Sequence, residues 1–165
     1  MTPLPPTLAW SVLSPEAGDA PDLPRWMAAA RAHLGAELSL VAAGDGATPW
    51  SIGVAPARDV ARVTVVRLRT TPAAEAPDVL AAARRGCDAI GGAGMDALVA
   101  RARRVWQAED DEGPAPLVLA AVLASVLLGP VVPPREASIF GVRGARERLE
   151  RAGWGGAPHP RASGQ

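Results

Sequence analysis

The chain has 165 residues, 48% apolar and 21% charged, enough for one domain with the balance of an ordinary globular protein; general disorder and fibrous repeats are excluded. Seventeen basic residues, every one arginine, offset seventeen acidic ones, and a net charge of zero lacks the field of a dedicated nucleic-acid binder. A lone cysteine, Cys87, excludes an intrachain disulfide framework and a multi-thiolate metal site. Two histidines and no tyrosine leave few groups for general acid–base work, so no catalytic residue, metal ligand or cofactor is assigned.

Met1 to Pro6 carries Pro3, Pro5 and Pro6 and no positive charge, unlike the start of a secretory signal, so a cytoplasmic location is expected. Leu8, Trp10 and Val12 alternate with their neighbours and predict a short strand, followed by a loop over Ser14–Pro21. Asp22 is placed to cap a helix over about residues 23–34. Pro24 suits its first turn, and Leu23, Met27, Ala30 and Leu34 form one face before a stop at Gly35.

A hairpin is expected next. Leu38, Leu40 and Ala42 share a face, as do Trp50, Ile52 and Val54, around the turn-forming stretch Ala43–Pro49. The β-branched run Val60–Thr70 predicts a third returning strand, and its alternation slips at Val65-Val66. A bulge there, or a centre buried on both faces, would account for the slip. Arg67 and Arg69, two apart on that strand, project the same way and suit a carboxylate or phosphate, although no glycine-rich cradle lies nearby.

From Pro77 the period becomes helical. Val79, Leu80, Ala83, Cys87 and Ile90 make one apolar face, on which Cys87 reads as a buried, inert thiol. Gly91-Gly92-Ala93-Gly94 follows a helix and therefore reads as a helix–helix turn, not a phosphate loop. A second helix is expected to carry Met95, Leu98, Val99, Ala102, Val105 and Trp106. The acids Glu109–Glu112 read as a solvated linker.

Residues 115–132 contain no charge. Pro116 and Gly129-Pro130 limit the helix there to about 14 residues, or about 21 Å, against the roughly 20 residues that a membrane span requires. A fully apolar central helix of a folded domain is the reading. Its small-residue stripe Ala121, Ser125 and Gly129 is expected to receive the Met95–Val105 stripe. A final helix carries Val142, Ala145, Leu149 and Ala152, with opposite charges four apart at Arg143/Glu147, Arg146/Glu150 and Glu147/Arg151.

The expected fold is therefore α+β: a small N-terminal β-α-β-β-β sheet layer, then four helices including one fully apolar central helix. Residues 1–154 form a single domain, and 155–165, with His159 between two prolines, form a flexible tail. Scarcity of catalytic side chains points first to a non-catalytic protein–protein interaction domain, an accessory or assembly factor of a larger bacterial complex, with Trp26 and Trp50 as exposed anchors. Its partner is then another protein, not a nucleic acid. One alternative is a small ligand-binding domain or enzyme acting on an anionic small molecule, through His33, Arg67, Arg69 and the hairpin carboxylate Asp45. Another is a protein attached to a membrane through residues 115–132.

Overall fold

In the computed structural model, which describes residues 1–92 and 94–154, the alternating segment after Leu8 is strand β1 (Ala9–Ser14). Helix α1 (Leu23–Leu34) starts as its sequence dictates: the Asp22 carboxylate accepts the Arg25 N–H at 3.4 Å, and Pro24 occupies the first turn. It stops at Gly35, whose φ of 56° and ψ of 37° lie in the left-handed region that a side chain would disfavour.

Strands β2 (Ala36–Ala42) and β3 (Trp50–Pro56) form the expected hairpin, with Leu38 opposite Val54 and a register shift between Leu40 and Ala42. Strand β4 (Thr64–Pro72) then returns along β3. Its pairing is regular through Val65 and Val66, opposite Gly53 and Ile52, so no bulge lies there. Val66 is buried and Val65 exposed: the break in the pattern is an apolar residue facing outward.

Helix α2 (Pro77–Ala89) and the short α3 (Met95–Ala100) follow, joined through Gly91, Gly92 and Gly94, which all hold positive φ. The helix expected through Trp106 stops at Ala100. Residues 104–109 are instead strand β5 (Arg104–Glu109), paired antiparallel to β1 on one side and β4 on the other. Helix α4 (Ala115–Leu127), the two-residue strand β6 (Val131–Val132) and helix α5 (Val142–Arg151) complete the described elements. The sheet is mixed with helices as expected of an α+β fold, and among the described residues it has six strands in the order β2-β3-β4-β5-β1-β6. The segment 155–165, expected to be a tail, lies outside the described residues.

Strand alternation divides the core between the two faces of the sheet. Val12, Trp106, Leu68, Val66, Ile52 and Val54 point toward α1, α4 and α5 and make the main cluster. Leu13, Val105 and Val132 point the other way, toward α2 and α3. The stripe on α4 therefore does not receive Met95–Val105, because α3 is on the opposite face. What covers α4 is α1, α5 and the sheet, and every residue from Ala115 to Ala124 is buried. Burial of each leucine or valine there contributes about 1.5–3 kcal/mol, which explains why a helix apolar all round is stable in this position. Among the described residues no helix is long and apolar enough to cross a membrane.

Candidate functional site

The two tryptophans expected at the surface are in the core. Trp26 is 1% exposed, its ring edge-on to Trp106 at 5.2 Å, and buried Trp50 stands 6.1 Å from that same ring. Both sit under α4 on the main-core side, where large aromatic area is worth more buried than displayed. Neither can anchor a partner.

The four polar candidates do not form one site. His33 ends α1 and lines a recess of about 180 Å³ with Arg146, Glu150 and Trp154; the Trp154 indole donates to the Leu34 carbonyl at 3.0 Å. Asp45 is exposed at the β2–β3 connection, where its carboxylate accepts the Ala47 and Thr48 N–H groups, each at 2.7 Å. These backbone hydrogen bonds hold its pKa below the usual carboxylate value, and they make Asp45 a turn-former. Arg67 and Arg69 lie on the sheet face away from α1. They share a side as the spacing implied, and both stand 3.9 Å from one oxygen of Glu109, a carboxylate supplied by the neighbouring strand β5. An internal acid already occupies the position between them. The His33 recess is smaller than the roughly 300–1,000 Å³ of ordinary ligand sites.

The acidic run also departs from a free linker. Glu109 ends β5 beside the two arginines, and Asp110 accepts the Trp10 indole N–H at 3.1 Å while pairing with Arg135. Among the described residues no three His, Cys, Asp or Glu side chains are grouped so as to hold a metal ion.

A different surface emerges from the topology. Helices α2 and α3 cover the second sheet face only over β1, β5 and β6. Across Arg69 and Gln107, which are directly paired on β4 and β5, the cover is the segment Thr2–Leu4. Beyond Arg67, over β2, β3 and β4, the described residues leave the face uncovered. There Val41, Val63 and Val65 are 54%, 50% and 48% exposed. They surround Gly53, whose missing side chain leaves a shallow floor: a methyl at that position would meet the Ser39 hydroxyl and the Val41 and Val63 methyls. Val60, in the β3–β4 connection, is exposed as well.

Gln107 is the residue that sequence reasoning missed. It is 1% exposed on the second face and makes a two-point contact with the main chain of Leu4. Leu4 N–H donates to Gln107 Oε1 at 2.8 Å, and Gln107 Nε2 donates to Leu4 O at 2.9 Å and to Ser11 Oγ at 3.3 Å. Arg69 Nη1 adds a hydrogen bond to Thr2 O at 3.1 Å. The available signal was the proline-rich composition of residues 3–6, which marks an extended segment needing external partners. Comparisons with protein-family models, curated proteins and solved structures give no significant match.

Proposed function

We propose that this chain is a non-catalytic protein-interaction domain, an accessory to a larger partner, and that it docks through the open half of its sheet. The observation that carries this reading is the cluster of half-exposed valines, Val41, Val63 and Val65, on one continuous sheet face. Isolated exposed apolar residues are ordinary, but a contiguous group on a flat surface marks an interaction site. Arg67, 58% exposed beside Glu109, supplies the polar rim that such sites carry. The rival reading, an anionic small molecule held by His33, Arg67, Arg69 and Asp45, is not favoured, because these residues are distributed over two faces and a turn.

Affinity isolation from the native host tests the proposal, with Val65→Asp run beside the wild-type chain. Val65 is exposed, so the carboxylate changes the patch and not the core. A protein recovered in stoichiometric amount by wild type and lost with Val65→Asp is the expected result. Equal recovery by both, or recovery of nothing by either, overturns the assignment.

A further inference from the structure

We infer that the shelf formed by Gln107, Arg69 and Ser11 is a groove for extended, proline-flanked peptide, that Thr2–Pro6 occupies it in cis, and that a partner's segment of the same kind takes their place. This deepens the interaction reading, on which it rests, by naming the chemistry of the partner. The seated segment shows what the groove accepts. Pro5 has φ −52° and ψ 142°, the polyproline II conformation. Leu4, preceding a proline, is confined to extended backbone as well. A chain in that conformation has no regular internal hydrogen bonding, so its N–H and carbonyl groups project sideways to be met from outside. The Pro5 carbonyl turns back at the end of the segment and accepts the Leu8 N–H at 3.0 Å. Gln107 meets one such N–H and one such carbonyl of the same residue with the two ends of a single amide.

Selectivity follows from the kind of contact. The hydrogen bonds of Gln107 and Arg69 to the segment go to its main chain, at Leu4 and Thr2. Any sequence that holds the same extended shape with a free N–H at the central position fits equally well. Side chains enter downstream: beyond Pro6 and Thr7 lies a recess of about 490 Å³ between Arg85 of α2 and Pro133–Ala137. The groove thus runs from the rim of the valine patch at Arg67, under the strap, to this recess.

Displacement is chemically accessible. Thr2 and Pro5 are exposed, and Met1, Pro3, Leu4 and Pro6 are each only partly buried, Met1 against the main core, so no residue of the strap is fully enclosed. When it lifts, the Gln107 amide meets water. A tethered strap competes at an effective concentration of order mM, so the intact chain binds an incoming peptide more weakly than a chain whose strap is removed.

The test is a calorimetric titration with the blocked hexapeptide Thr-Pro-Leu-Pro-Pro-Thr, the sequence of residues 2–7. Three proteins are compared: wild type, a chain lacking residues 2–6, and that deletion carrying Gln107→Leu. The strap-deleted chain is expected to bind saturably and more tightly than wild type. Gln107→Leu, which loses both main-chain hydrogen bonds, is expected to weaken binding about tenfold or more. A peptide with proline at the leucine position, lacking the central N–H, is expected to bind comparably poorly. Should the deletion fail to fold, Leu4→Pro in the full chain loosens the strap by removing the same N–H and carries the same titration. A folded strap-free chain that shows no binding up to about 1 mM overturns the groove, as does binding that Gln107→Leu leaves unchanged. This titration needs no host partner. Peptide binding without a Val65-dependent partner therefore sinks the patch alone, and the reverse sinks the groove alone.

Discussion

Leu128 closes α4 with φ 54° and ψ 41°, a left-handed conformation, and its side chain is 72% exposed. A leucine there gains nothing from burial and carries the steric cost of its Cβ, about 1–2 kcal/mol for an L-residue. Leu128→Gly should raise stability by about 1 kcal/mol, after allowing for glycine's larger unfolded-state entropy. Its neighbour has the opposite requirement. Gly129 runs so close to β1 that an added methyl would overlap the Leu13 carbonyl, whose chain neighbourhood is fixed by the Leu13 N–H bond to Pro130 O at 3.0 Å. Gly129→Ala must therefore displace backbone and should cost about 2 kcal/mol or more. Urea denaturation of the two variants checks both signs; equal effects would mean that neither backbone conformation nor close approach governs this turn.

At the scale of elements, α2 is the long helix among the described residues on the second face, and Cys87 reports whether it is seated. The thiol is buried between α2 and the strands, and burial, joined by the nearby Asp96 carboxylate, raises its pKa. The folded state thus holds the proton to higher pH than the unfolded chain does. The stability attached to this difference is fully present below the ordinary thiol pKa and is lost as pH rises through the folded value. Thiol labelling at neutral pH should be much slower than for a small free thiol. It should accelerate on adding denaturant; labelling at the free-thiol rate would place α2 off the sheet. Much of this arrangement was legible in the sequence. Asp22, Pro24 and Gly35 bracket α1 because capping chemistry is local, and the β2–β3 hairpin follows from alternation around a short loop. Strand β5 was not legible. Met95, Val99, Ala102 and Trp106 keep helical spacing, but Val105, Trp106, Gln107 and Ala108 are buried on both faces between β1 and β4, so no alternation survives to mark a strand. Its pairing with β1 brings together residues such as Ala9 and Glu109, and its pairing with β4 residues such as Leu68 and Ala108, separations that no local pattern contains. The groove was hidden for the same reason, since Gln107 and Leu4 meet only once β5 is in the sheet.

For the molecule as a whole, the two faces are unequally held. The main-core side joins α1, α4, α5 and most of the strands in one cluster, with α4 touching β1, β3, β4, β5 and β6. Such a helix cannot leave without exposing the interior of the entire domain, so its opening is global unfolding. Over β1, β5 and β6 the second face is covered by α2 and α3 through two smaller clusters, around Leu13 with Cys87 and around Val79 with Val105. Those helices can lift while the sheet and α4 remain assembled. Native-state hydrogen exchange should accordingly find two levels: amides of α4, β1 and β5 exchanging with the global free energy, and those of α2 and α3 exchanging at a lower one. Leu123→Ala removes a fully buried side chain from α4 and should cost about 2–5 kcal/mol. That loss should lower protection in α1, α4, α5 and the central strands together. It should leave the opening of α2 and α3 nearly unchanged, because in that opening Leu123 stays packed. If α2 amides are as protected as those of α4, or fall by the same amount in Leu123→Ala, the second face is not an independent unit and the domain opens only as a whole.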